Sequence, residues 1–195
     1  ADVALVFVLL PGGDFVMGSA PDDETRENDE PLQDVWLSPF FLSKCEMTQA
    51  QWERLSMHHG SYYQHNSWYR PGNVVPEDRI AADGTRLHCE PFTSSHPVEG
   101  VTWRQCTQLM SEQGLNLPTE AQWEYSCRAG SSATWSTGAA AESLRRTANL
   151  ADRSAAEFSD GMIYQWCDWN DGWPGTAVVG SFEPNLFGLH DMHGN

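Results

Sequence analysis

The residues that could do chemistry are seven histidines, five cysteines and a run of acids and amides late in the chain. His58, His59, His65, His88, His96, His190 and His193 are the candidate bases or ligands. His190 and His193 share the run HDMH, which has no second cluster to complete a metal site. Cys45, Cys89, Cys106, Cys127 and Cys167 include no pair at CxxC spacing, which argues against a zinc site built from cysteine pairs. This odd, scattered set does not read as a secreted disulfide framework, so buried free thiols are expected. A Cys–His nucleophile pair meets in space and not in sequence, so it stays open. No GxSxG, Walker loop, HExxH or dinucleotide fingerprint occurs. Asn149, Asp152, Asp160, Asp168, Asn170 and Asp171 are oxygen donors in loop-like sequence, and DWNDGW sets acceptors beside a glycine. Calcium takes roughly six to eight such oxygens. Asx residues also favour turns, so spacing alone leaves both readings open.

Something must position these groups, and the composition bounds what that is. The chain has 195 residues, enough for one domain with a core, and 40% of them are apolar. Its 16 glycines and 11 prolines favour short elements and many turns. The formal charge of −16 repels phosphate backbones and anionic lipid, which excludes nucleic acid and membrane surfaces as expected partners. The opening ADVALVFVLL is too short to span a bilayer and lacks the basic region and cleavage site of a signal peptide. With neither feature in view, a cytoplasmic setting is the working expectation. The first residue is Ala and not Met, which is read as a cut or processed start.

Residues 4–19 read as a hairpin, VFVLL and FVMGS joined by the turn PGGD. Residues 20–34 are polar and read as a solvated loop, and VWLSPFFL at 35–42 returns to strand character. Three short helices start with one grammar. Thr48 with Gln51, Thr102 with Gln105 and Thr119 with Gln122 each place a capping threonine three residues before a glutamine. Met47 and Trp52, and Pro118 and Trp123, have the spacing of a hydrophobic staple, while Gly114 and Gly130 are natural stops. Residues 56–97 hold a long irregular stretch with Tyr62, Tyr63, Trp68 and Tyr69, suited either to lining a ligand groove or to capping a core. From residue 131 on, loops with short strands are expected. The final LFGLHDMHGN carries Leu186, Phe187, Leu189 and Met192 with nothing after them to cover them.

The run LPTEAQWEYSCRAG resembles the signature of the formylglycine-generating enzyme, or sulfatase-modifying factor, family. FVMGS, PFFLSKCEMTQAQWERL, HPVEGVTW, ANLAD and VVGSFEPNLFGLHDMHGN resemble further family segments in the same order, so the likeness covers nearly the whole chain. It implies a single α+β domain of C-type-lectin-like fold, with short helices, antiparallel strands and abundant loops. In the family the HGN run continues into a Trp-Glu-Trp stretch, so the chain is read as the N-terminal part of that domain. A chain cut there is expected to be poorly soluble or partly unfolded alone.

The resemblance implies an activity: oxidation of a sulfatase cysteine, in a Cys-x-Pro-x-Arg context, to formylglycine by molecular oxygen and a copper ion held by two cysteine thiolates. Those two cysteines are expected beyond Asn195, so no catalytic residue is carried over, copper is expected only in a full-length catalytic form, and Cys127 is expected to be structural. The likeness also implies calcium at Asn149, Leu150, Asp171 and Trp173, the Leu and Trp through backbone oxygens. Asp191 and Gly194 match the start of a second calcium site that ends beyond Asn195. The same fold serves as a non-catalytic ligand-binding or sensing module attached to bacterial kinases, which is the alternative function. A third is an iron-dependent sulfoxide synthase, which would add a separate helical domain carrying iron-binding histidines.

Overall fold

The computed structural model describes residues 4–21, 29–56, 93–158 and 167–195, with Arg26, Ile80 and Gly84 between them. The aromatic cluster at 62–69, His58, His59, His65, His88, Cys89 and Asp160 lie outside the described residues.

Four strands come first: β1 (Phe7–Leu10), β2 (Gly13–Met17), β3 (Gln33–Leu37) and β4 (Phe40–Ser43). The expected hairpin of residues 4–19 does not form. β1 pairs with β4, and β2 pairs with β3, both antiparallel. Phe7 faces Ser43, Leu10 faces Phe40 and Gly13 faces Leu37, so one register runs through both arms. That register sets Pro11 opposite Pro39. Neither proline can donate to the ladder, so one long ribbon breaks into two arms there. PGG therefore bends the ribbon and does not reverse it. Gly12 sits at φ +68, and a Cβ on it would lie 2.3 Å from the Leu37 carbonyl oxygen. Gly12→Ala is expected to destabilise the fold by about 2 kcal/mol or more. An unchanged urea midpoint would show that the bend relaxes freely.

Helices α1 (Gln49–Ser56), α2 (Trp103–Glu112) and α3 (Glu120–Arg128) follow. All three expected capping boxes form. Gln51, Gln105 and Gln122 each donate a backbone N–H to the threonine three residues earlier and return a side-chain oxygen to that threonine's N–H. At its C-terminus α3 places Ala129, and not only Gly130, in the left-handed region.

α3 grips the ribbon at both ends of β2. The Tyr125 hydroxyl donates to the Gly12 carbonyl at 2.7 Å. At the other end, Gly18 N–H donates to Glu124 Oε1 at 2.8 Å, and Arg128 Nη2 donates to the Gly18 carbonyl at 2.7 Å. Tyr125 also sits in the core with Leu10 and Leu189, against Phe15, Phe40, Phe187 and Met192. Three of the four apolar residues of the final run are thus in or against the core, and only Leu186 is left 87% exposed.

After Ser43 no strand occurs among the described residues, contrary to the short strands expected from residue 131 on. A 3-10 helix (Ala141–Arg146) and α4 (Arg153–Phe158) stand there instead. Side chains satisfy much of the backbone in this region: Asn170 takes the Gly172 N–H, Asn185 those of Phe187 and Leu189, and Asn195 that of Ala177. No described helix is long and apolar enough to cross a membrane.

Candidate functional site

The acids and amides of the final third separate in the structure. Asp168 is exposed and pairs with Arg153 at 2.6 Å. Asn170 closes an Asx turn onto Gly172. Asp152 is fully buried and caps α4, its Oδ1 accepting from Ser154 N–H, Ser154 Oγ and Ala155 N–H. Its Oδ2 accepts from Asp171 N–H at 2.5 Å. Of the oxygen donors read from spacing, these three serve turns, caps and a surface ion pair.

Asn149, Leu150, Asp171 and Trp173 do come together. Asp171 Oδ2 accepts from Leu150 N–H at 3.1 Å, and Oδ1 from Trp173 N–H at 2.7 Å. Asn149 uses its side-chain N–H groups on the Gly175 carbonyl and Asn195 Oδ1, so its amide oxygen is the end those bonds leave over. Burial, aided by the neighbouring Asp152 charge, pushes Asp171 up to about 7 against the opposing pull of its hydrogen bonds, and no basic side chain is among the groups acting on it. A half-buried carboxylate beside a second one is costly unless a proton or a cation meets it.

Asp191 and Gly194 lie on the last turn, tied to the same place. Asn149 N–H donates to the Gly194 carbonyl at 3.1 Å. A Cβ on Gly194 would lie 2.7 Å from the Asn149 carbonyl oxygen, at φ +153, so only glycine fits this approach. Asp191, itself in the left-handed region at φ +59, accepts Gly180 N–H on Oδ2 at 2.7 Å. Its other oxygen, Oδ1, is buried without a hydrogen-bond partner.

Sequence reasoning missed Glu46. Its Oε2 accepts from Asn195 Nδ2 at 2.8 Å, across 149 positions. Burial pushes Glu46 up to about 7, with the Asp191 charge adding to the rise and the Asn195 hydrogen bond opposing it. The only signal in sequence is its place just before the Met47-Thr48 cap, and that points to structure.

The described thiols form no disulfide and no thiolate pair. Cys45, Cys106, Cys127 and Cys167 are free. All four are pushed up by burial, Cys127 and Cys167 to about 11. Cys127 Sγ lies 3.5 Å from His193 Nδ1, the Cys–His contact left open by the sequence. It lies 3.7 Å from Nε2 as well, so the sulfur faces the ring and not one nitrogen. Burial lowers His193 while raising Cys127, which is the reverse of what a thiolate–imidazolium pair needs. His193 Nε2 instead accepts Ser136 N–H at 3.2 Å, and its ring meets Trp135 edge-on at 5.7 Å. Iodoacetamide at neutral pH is expected to leave Cys127 unmodified in the native protein on a timescale that alkylates free glutathione. Rapid native alkylation at Cys127 would overturn this. His190 Nδ1 donates to the Phe182 carbonyl at 2.8 Å, and His96 Nδ1 accepts Thr93 N–H. Among the described residues no group of three His, Cys, Asp or Glu side chains is placed to hold a metal by itself. These thiols do not fit a two-thiolate copper site.

A groove of about 1200 Å³ opens beside these residues. Phe7, Phe41, Leu117, Trp123 and Trp135 give it an apolar wall, and Glu46, Asp191 and His193 reach it from the last turn and the β4–α1 connection.

The chain matches the sulfatase-modifying factor enzyme 1-like domain family over residues 4–195. It is 31% identical over 189 residues to serine/threonine-protein kinase pkn1 of Chlamydia pneumoniae, which covers 96% of this chain and 26% of that protein. It is 27% identical over 219 residues to the formylglycine-generating enzyme of Thermomonospora curvata, covering 100% of this chain and 70% of that one. The chain therefore spans about a quarter of the length of the kinase relative. Among solved structures, PvdO from Pseudomonas aeruginosa superposes with a TM-score of 0.68 at 25% identity, over 100% of this chain and 69% of that chain. CarF shares the fold, with a TM-score of 0.56 at 19% identity over 100% of this chain and 78% of that chain.

Proposed function

Because the chain belongs to the sulfatase-modifying factor enzyme 1-like family, we propose that it serves the formylglycine-generating reaction by holding a sulfatase polypeptide. The observation that carries this reading is the groove. Its volume of about 1200 Å³ can take a short peptide segment, its aromatic wall suits a proline-containing peptide, and it is set in a chain of net charge −16 that attracts arginine. A Cys-x-Pro-x-Arg segment has both features. Burial pushes each described thiol up, away from the thiolate form a copper ion would take. Copper and the oxidising step belong to a catalytic form with a further cysteine pair.

Calcium has a bracing role in this reading. Asn149, the Leu150 and Trp173 carbonyls, and Asp171 would hold one ion and fasten the loop after α4 to the segment before it. A sulfatase peptide with the Cys-x-Pro-x-Arg sequence is expected to shift the tryptophan emission of the protein, and Trp123→Ala to weaken that binding about tenfold. A scrambled peptide that binds equally well would remove the substrate reading.

The second reading is a non-catalytic ligand-binding or sensing module. It is favoured by the kinase relative, whose likeness runs over 96% of this chain. On that reading the groove takes another ligand, and the sulfatase peptide has no advantage over its scrambled form.

A further inference from the structure

Among the described residues β4 has one strand partner, β1. Lys44 N–H donates to the Val6 carbonyl at 2.8 Å, which extends the β1–β4 register by one position and marks Val6 and Lys44 as a hydrogen-bonded pair. Bonded and non-bonded pairs alternate along an antiparallel ladder. Val8–Leu42 and Leu10–Phe40 are therefore the bonded pairs, and the backbone N–H and C=O groups of Phe41 and Ser43 point away from β1. No backbone hydrogen bond meets those four groups among the described residues. An edge of this kind is a template for another strand.

The edge belongs to the groove. All four residues of β4 line it, whereas β1 contributes only Phe7. The two faces of β4 differ: Phe40 and Leu42 pack against the core, while Phe41 is 66% exposed. Leu117, Trp123 and Trp135 bring other elements to the same groove. An edge walled in this way has room for a single extended chain. The rim of another folded sheet would meet those walls first, and four residues of β4 are too few for a stable pairing between two copies of the chain.

The inference rests on the sulfatase-peptide reading and says how such a peptide is held. In a strand, residues two apart direct their backbone groups to the same side. Cys, Pro and Arg of a Cys-x-Pro-x-Arg segment are each two apart, so all three share a side. Proline has no N–H and is tolerated only where that side faces away from the ladder. The two intervening residues then face β4, and β4 offers two outward residues to meet them. The residue before proline is also biased toward the extended conformation that pairing needs. We propose that the segment docks as an added antiparallel strand on β4, its two variable residues paired with Phe41 and Ser43. Residues directly opposite one another lie on the same face of a sheet. The variable side chains therefore lie with exposed Phe41, where any residue fits. The Cys, Pro and Arg side chains lie on the face of Phe40 and Leu42, where the groove can read them. Main-chain bonds give affinity and alternate side chains give selectivity, as in other strand-addition complexes.

Amide hydrogen exchange read by NMR tests this, with a synthetic Cys-x-Pro-x-Arg peptide and the same peptide N-methylated at both variable residues. At saturation the first peptide is expected to slow exchange at Phe41 and Ser43 about tenfold or more, with a smaller change at Leu42, which already bonds Val8. N-methylation is expected to weaken binding about tenfold or more, since it removes both donors and leaves every side chain in place. Peptide binding that leaves Phe41 and Ser43 exchange unchanged and tolerates N-methylation would overturn the strand pairing and spare the substrate reading. Slow exchange at both amides before any peptide is added would show an edge already paired, and would overturn it too. A peptide with Cys and Arg replaced by alanine that binds and protects equally well would uphold the pairing and remove the substrate reading. No peptide binding at all would overturn both.

Discussion

Asp152→Ala is expected to destabilise the protein by about 3–5 kcal/mol. The residue is fully buried, and its carboxylate accepts four hydrogen bonds. Alanine would remove the N-cap of α4 and also leave the Asp171 N–H without an acceptor. Losing a cap alone costs about 1 kcal/mol. The larger figure comes from burying several donors with nothing to meet them. Asp152→Asn separates the two ends of the side chain. Its single oxygen can keep the three donors from Ser154 and Ala155, but its NH2 group would then face the Asp171 N–H, donor against donor. An intermediate loss, about 1–2 kcal/mol, is expected for Asn. Urea denaturation of the two variants reads this order directly. An Asp152→Ala midpoint within experimental scatter of the wild type would mean that the α4 turn contributes little to global stability.

Asp152 also shows why some of the site was legible in the sequence and some was not. Local grammar was readable. A threonine three residues before a glutamine specifies both hydrogen bonds of a capping box, and all three such pairs form them. Asp152 before Arg-Ser-Ala-Ala is a cap by the same logic, yet its place among other acids drew it toward metal binding. Pairings over long distances were not readable. PGG between two apolar runs has the composition of a hairpin turn, and only the partner strand about thirty positions later reveals a bend. Nothing near Pro11 in sequence indicates that Pro39 will lie opposite. Glu46 was missed for the same reason, since its hydrogen-bond partner Asn195 lies 149 positions away. The grouping of Asn149, Leu150, Asp171 and Trp173 came from family likeness, because spacing could not separate Asp171 from Asp168. The structure separates them by burial: Asp168 is in solvent with Arg153, and Asp171 faces inward.

That inward placement gives the second large effect, an inversion of the usual pH dependence that calcium should reverse. Asp171 and Glu46 are each raised to about 7 in the folded protein, from 3.8 and 4.5. A carboxylate raised by folding binds its proton more tightly in the native state. Its contribution to stability is therefore greatest below the unfolded value and is lost as pH rises toward about 7. In chelator, the melting temperature is expected to fall by roughly 5–10 °C between about pH 5 and about pH 8. His193 acts in the opposite sense, since burial lowers its value and protonation below pH 6.5 disfavours the fold. One histidine set against two strongly raised carboxylates leaves the net slope downward, and His193→Gln should steepen it. On the calcium reading of the Asp171 site, millimolar calcium should restore part of the loss near pH 8 and do little near pH 5, where protons compete. Asp171→Asn should flatten the slope in chelator and reduce the gain from calcium. A melting temperature that rises from pH 5 to pH 8 in chelator would show that the two carboxylates are ionised at little cost in the native state.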